Sequence, residues 1–259
     1  MKKAIIITGA TGYFGRYFVG HLKTEYQVIA VGRDQVKLDD LFSDDIIKIA
    51  IDLQNIDQVK AMMSDVLEQY EVFGLVNNAY PLNVQSGFNT ANGQLAKHDI
   101  SMFHSAFGCG LFSPFVMIQE LGNYLIDKGR SGAIVNISSM YASVAPDPNM
   151  YKGKSISNPI SYGMVKASME YMTKYVASFW GEKGIRCNAI APGSFPNIEF
   201  LSENATTDKE FVQRLADKTC NNRVGRPQDL LGMLSLLLSD EANYINGQVI
   251  PIDGGWTVR

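Results

Sequence analysis

Ala4-Ile5-Ile6-Ile7-Thr8-Gly9-Ala10-Thr11-Gly12-Tyr13-Phe14-Gly15 stands at the head of the chain. Its first four residues form a short apolar run rich in β-branched side chains, too brief for a helical period, and read as a strand. Glycines follow at positions 9, 12 and 15, and Arg16-Tyr17-Phe18-Val19 continues with apolar residues at helical spacing. Strand, glycine turn and helix in that order open a nucleotide-binding βαβ unit. Glycine is needed where the backbone turns tightly and comes close to a pyrophosphate, and the helix start then offers unpaired N–H groups to the phosphates. A glycine turn alone is common; its place between this strand and this helix points to a cofactor. Gly9, Thr11, Gly12, Tyr13, Phe14 and Gly15 are the candidate residues for that contact.

The rest of the chain repeats this alternation. Short β-branched runs at 4–8, 27–31, 46–51, 73–76, 132–138, 185–191 and 248–252 read as strands. Helical patterns lie between them near 13–24, 56–70, 95–127, 161–183 and 226–238. The expected fold is α/β, a Rossmann-type doubly wound parallel sheet of about seven strands with helices on both faces, in a single domain over 1–259. Ligands bind outside the carboxyl ends of such strands, where Gly9, Asn78, Ser139 and Pro192 fall. Segments 80–93, 140–160 and 194–222 crowd the same edge; the third includes a short helix over Thr206 to Lys218. Loops on that edge shape substrate pockets.

Tyr162 and Lys166 in Tyr-Gly-Met-Val-Lys lie one helical turn apart, 23 positions after the hydroxyls that end Ile134-Val135-Asn136-Ile137-Ser138-Ser139. A phenol titrates near pH ~10, and bringing it to ~7 takes roughly 4 kcal/mol of preference for the phenolate. One ammonium about 4 Å away, at an effective dielectric near 20, supplies about that much. The pair makes a workable acid and base, with a strand-end hydroxyl to hold the carbonyl oxygen.

The net charge of −3 and pI of about 5.6 leave no electrostatic footprint for nucleic acid. The apolar runs read as too short to span a membrane. Met1-Lys2-Lys3 resembles the charged start of a signal peptide, but the apolar stretch after it runs straight into the glycine turn. Cys109, Cys187 and Cys220 are unpatterned and read as reduced thiols of a cytoplasmic protein; with His21, His98 and His104 they form no metal-ligand spacing.

Together these motifs resemble the short-chain dehydrogenase/reductase family over essentially the whole chain. Asp52-Leu53 matches where the family holds adenine, and Asn77-Asn78-Ala79 where it steadies the central sheet. Asn188 to Gly193 matches the segment passing the nicotinamide, with Pro192 and Gly193 as its contacts, and 245–255 matches the last strand and tail. The resemblance implies an NAD(P)-dependent enzyme interconverting an alcohol and a ketone. Tyr162 would pass the proton, Ser139 rather than Ser138 would polarise the carbonyl, and Lys166 would lower the tyrosine pKa and hold the ribose. It also implies a homo-tetramer or dimer paired through the helices near 95–127 and 161–183, with Met102, Phe103, Phe107, Met169, Met172, Phe179 and Trp180 as apolar positions.

The second strand ends in Gly32-Arg33-Asp34. Arg33 suits a ribose 2′-phosphate, so NADP(H) is favoured. A small backbone shift would let Asp34 read a 2′-hydroxyl, which keeps NAD(H) open. Two features depart from the family. The glycine spacing resembles its sugar-nucleotide-modifying branch. Gly110, or Gly108, stands where a helical Asn usually holds a relay water. The 140–161 insert, Asn77 to Pro81 and Ala145 to Pro148 resemble oxidoreductases that modify flagellin or surface sugars, of the legionaminate-pathway type. A sugar or sugar-nucleotide-like substrate in carbohydrate biosynthesis is the expectation; the alternatives are a nucleotide-sugar epimerase or dehydratase and a cofactor-binding sensor without turnover.

Overall fold

The computed structural model describes residues 2–82, 84–88, 90–153, 157–197 and 206–259. Seven strands run through them: β1 (Ala4–Thr8), β2 (Gln27–Gly32), β3 (Ile47–Ala50), β4 (Val72–Asn77), β5 (Gly132–Ile137), β6 (Ile185–Pro192) and β7 (Val249–Ile252). They form one sheet in the order β3-β2-β1-β4-β5-β6-β7, every adjacent pair parallel. The order reverses direction between β1 and β4, which opens a crevice at their carboxyl ends. The helices are α1 (Tyr13–Leu22), α2 (Gln35–Leu41), α3 (Ile56–Gln69), α4 (Ile100–Phe107), α5 (Ser113–Asp127), α6 (Ile160–Trp180), α7 (Thr206–Asp217) and α8 (Gln228–Leu238).

Alternation along β1 divides the core in two. Ile5 and Ile7 face one layer, with Phe18 and Val19 of α1 and Leu230, Leu234 and Leu237 of α8. Ile6 faces the other, with Val59 and Met63 of α3, Met117 and Leu121 of α5, and Val176 of α6. All three isoleucines are fully buried, each contributing about 2 kcal/mol by removal from water. This two-sided burial is why the strands read as continuous apolar runs rather than alternating ones.

The structure corrects the sequence reading in two places. Helix α2 was not expected: of its seven residues only Leu38 is buried, too little apolar signal for a period. Asp34 starts it by accepting a hydrogen bond from Lys37 N at 3.2 Å. The single helix expected over 95–127 is instead α4, a five-residue π-helical turn at Gly108–Phe112, and α5. Ser113 N donates to Gly108 O across that turn, and Leu95–Lys97 is a separate 3₁₀ turn. The continuous helical stretch Ile100–Asp127 has 28 residues and holds an 18-residue window of mean hydropathy 1.3, long and apolar enough by that measure alone to cross a membrane. Its Met117, Ile118, Leu121 and Leu125 are buried against the sheet and α3, while Phe112 and Phe115 on its other side are exposed.

Candidate active site

The glycine turn is held from beneath by β4. Thr8 Oγ1 accepts from Asn78 N at 3.0 Å and from Ala79 N at 3.1 Å, and Asn78 Nδ2 donates to Thr8 O at 2.9 Å and Gly9 O at 3.2 Å. Gly9 has φ +63°, and a Cβ there would stand 2.9 Å from Ala79 Cα, so only glycine fits. Helix α1 begins directly after Gly12, carries no acidic residue in its first turn, and presents its N–H groups to the crevice. That cradle fits a pyrophosphate.

One cavity of about 760 Å³ joins the cradle to the catalytic candidates. Gly9, Thr11, Gly12, Tyr13, Phe14, Arg33, Asp52, Leu53, Asn78, Ala79, Ser139, Tyr162, Lys166, Pro192 and Gly193 all line it. Gly15 does not: it is buried behind the turn, where an added Cβ would collide with Gly9 O and Ala10, so its role is packing. Arg33 lines the cavity and Asp34 does not, since the Asp34 carboxylate caps α2. Asp52 Oδ1 accepts from Gln54 N at 3.0 Å, which turns the chain at the rim. Gly193 N donates to Ile252 O at 3.0 Å and ties the wall after β6 to β7.

The two serines part company at the end of β5. Both border the cavity, but the Ser138 hydroxyl is engaged, donating to Glu170 Oε1 at 2.8 Å. Ser139 faces the cavity, and its Oγ accepts from Tyr141 N at 3.2 Å. Lys166 is 3 % exposed and donates to Ile137 O at 2.6 Å, with Nζ 5.7 Å from the Tyr162 ring centroid. Burial brings its ammonium from 10.5 down to about 8. Burial likewise holds the Tyr162 phenol above its ordinary value, while a hydrogen bond from Ser139 works in the opposite sense. The expected lowering of the phenol by Lys166 is not seen: removal from water is the largest influence on it and acts upward.

The sequence reading pointed to Tyr80, Tyr141, Tyr151, Phe195 and Asn197 as substrate-side loop residues, and all five line the cavity; it missed Phe88, Cys109, Asn158 and Phe211 beside them. Phe88 and Tyr80 meet the Tyr162 ring at centroid distances of 5.2 and 4.9 Å. The two loops flanking the mouth are clipped together by Lys218 and Asp147 at 3.0 Å and by Tyr151 on Phe211, centroids 5.8 Å apart. Loop side chains at separations this long carry no periodic signal. Of the residues expected at this edge, Ile198, Phe200 and Leu201 lie outside the described residues. Neither glycine of the π-helical turn borders the cavity itself: a Cβ on Gly110 would meet Tyr80 and Val165, and one on Gly108 would meet Gln54.

A glycine cradle fit for phosphates thus shares one cavity with the half-buried Tyr162 and the buried Lys166. A family model described as enoyl-(acyl carrier protein) reductase matches residues 26–257, and the chain belongs to the short-chain dehydrogenase/reductase family. It is an enzyme acting on CH–OH groups with a nicotinamide cofactor. It is 28% identical to the 7alpha-hydroxysteroid dehydrogenase of Bacteroides fragilis, over 100% of this chain and 95% of that one. It is also 28% identical to the 2-dehydro-3-deoxy-D-gluconate 5-dehydrogenase of Escherichia coli, over 92% and 82%. A solved short-chain dehydrogenase from Leptospira borgpetersenii with bound NAD+ superposes with a TM-score of 0.85 at 28% identity, covering 99% of this chain and 93% of that one.

Proposed function

We propose that the enzyme interconverts a secondary alcohol and a ketone on a polyhydroxylated, sugar-like substrate, with NADP(H) preferred. The observation that carries the substrate class is a pair of carboxamide oxygens in the cavity wall. Asn158 Oδ1 and Asn197 Oδ1 are buried and have no hydrogen-bond partner. An unmet buried acceptor costs about 1–3 kcal/mol. A ligand hydroxyl relieves that cost and a hydrocarbon does not, so the pair favours hydroxyl-bearing ligands. Tyr80, Tyr141 and Tyr151 add flat faces with polar tips around them. The likeness to the Escherichia coli gluconate-type dehydrogenase supports the same reading.

The chain's own residues carry the proton chemistry. In reduction Tyr162 Oη gives its proton to the carbonyl oxygen, and in oxidation it takes the proton back. Ser139 Oγ receives a hydrogen bond from Tyr141 N, which leaves its own proton for the substrate oxygen. Lys166 stays anchored on Ile137 O and presents its charge to the phenol and to the ribose side. The bound nicotinamide supplies or accepts the hydride. Arg33 at the adenosine end, with Asp34 engaged elsewhere, supports selection of a 2′-phosphate.

A second reading has its own observation. Phe88, Phe195 and Phe211 make part of the wall apolar, and the Bacteroides relative is named for a hydroxysteroid. The deciding experiment compares kcat/KM for a keto-sugar panel with that for steroidal and aliphatic ketones at saturating NADPH. A consistent advantage for the hydrophobic panel would overturn the sugar reading. The epimerase and sensor alternatives are separated by Tyr162→Phe: an oxidoreductase loses turnover by orders of magnitude while keeping its cofactor affinity.

We also propose a cytoplasmic homo-tetramer or dimer. Tyr171, Tyr175 and Phe179 of α6 are exposed alongside Phe112 and Phe115. Tyr175 and Phe179 stack with centroids 4.3 Å apart, a preformed aromatic face. Of the apolar positions expected to pair, Met102 and Met169 are buried in the subunit, Phe103, Phe107, Met172 and Trp180 are half-buried, and Phe179 is exposed at 64 %.

A further inference from the structure

Gly110 leaves a notch in the π-helical turn, and the ring of Tyr80 fills it. A Cβ on Gly110 would stand 3.0 Å from Tyr80 Cδ2 and 2.7 Å from Val165 Cγ1. A methyl there would press on both Val165 and the Tyr80 ring, so one or both must shift. From the notch Tyr80 meets Tyr162 edge to face, with centroids 4.9 Å apart and an interplanar angle of 86°. Lys166 Nζ lies 5.5 Å from the Tyr80 centroid. Among the described residues no carboxylate comes within the 4.0 Å of an ion pair with that ammonium. Its partners are one carbonyl, Ile137 O, and two aromatic rings, those of Tyr80 and Tyr162.

We propose that Tyr80 is a positioning residue for the Tyr162–Lys166 pair: its ring supports the Lys166 ammonium and sets the plane of the Tyr162 ring, and Gly110 exists to make room for it. The aromatic face replaces a carboxylate counter-ion. It stabilises the cation without neutralising the charge that the phenol and the ribose side use. A carboxylate in the same place would pair with Lys166 and remove that charge. This role rests on the proposed Tyr162–Lys166 chemistry, but its test does not require turnover.

The titratable groups around Lys166 are Tyr162 and, one turn further along α6, Glu170, together with Tyr80 after β4 and Cys109 in the π-helical turn. Burial raises the Cys109 thiol to about 11 and raises both phenols, so these three stay neutral while Lys166 titrates. Glu170 is held by Ser138. In the folded chain Lys166 releases its proton near pH 8, and in the unfolded chain near 10.5. Between those values the unfolded state binds the extra proton, so stability rises with pH across the interval and the full penalty is present below it.

The experiment follows unfolding of the apo protein from pH 6.5 to 10.5 for wild type, Lys166→Met, Tyr80→Phe, Tyr80→Leu and Gly110→Ala. Lys166→Met is expected to remove the rise and so identify it. Tyr80→Phe keeps the ring and should leave the rise where it is. Tyr80→Leu, and Gly110→Ala by expelling the ring, should start it about one pH unit lower. In parallel, the alkaline limb of kcat/KM should move down by the same amount in the last two variants only. If whichever of those two variants folds shows an unmoved rise, the role of Tyr80 is wrong. A moved rise without turnover of any ketone would leave Tyr80 standing and instead overturn the proposed reaction.

Discussion

Ser138 Oγ donates to Glu170 Oε1 at 2.8 Å, while its neighbour Ser139 faces the cavity. Adjacent residues of an extended chain point to opposite sides. Both serines border the cavity, but the Ser138 hydroxyl is engaged by Glu170, so Ser139 is the one whose proton is open to a substrate.

Ser139→Ala is therefore expected to lower kcat by about 10²–10³, the usual loss for one donor to a developing oxyanion. Ser138→Ala should leave kcat nearly unchanged and cost about 1–3 kcal/mol in stability, because Glu170 loses its partner in a half-buried site. Steady-state kinetics and denaturant unfolding of both variants check this; the reverse pattern would exchange their roles.

Arg33→Ala should erase most of a preference for NADPH that is about tenfold or more in the wild type. Asp34→Ala should not change the preference, since that carboxylate caps α2; it should cost about 1 kcal/mol in stability. Dissociation constants for both cofactors by fluorescence titration decide the matter. Equal affinities in the wild type would remove Arg33 from its role.

Gly122→Ala tests the packing of α5 on α6. Its Cβ would run into the indole of Trp180, so overpacking should destabilise the fold by about 1–3 kcal/mol. Trp180→Leu in the same background should recover part of the loss. A neutral Gly122→Ala would show that the indole has room to move aside.

Phe179→Glu together with Tyr175→Glu should dissociate the assembly. Both residues are exposed on one turn of α6, and burying paired carboxylates across an interface is strongly unfavourable. Light scattering at micromolar concentration is expected to show a tetramer or dimer for the wild type and a monomer for the double variant. A monomeric wild type would refute the assembly.

What the sequence by itself determined is whatever repeats within a few residues. The β-branched runs, the glycine turn between Ile7 and Tyr13, and the four-residue step from Tyr162 to Lys166 all state a local backbone geometry. Backbone period and steric freedom are properties of short windows, so the seven strands and the glycine turn that opens helix α1 were legible from them. The tertiary structure alone decided what depends on which surfaces meet. It engaged Asp34 as a helix cap and left Arg33 in the cavity, sent Gly15 behind the turn, and placed Tyr80 against Gly110, 30 positions away in sequence. It also set the protonation of the site. Tyr162 was expected to titrate low beside Lys166, yet removal from water, partial for the tyrosine, disfavours the charged form of each. Burial is summed over neighbours that come from every part of the chain, and no short stretch of sequence contains that sum.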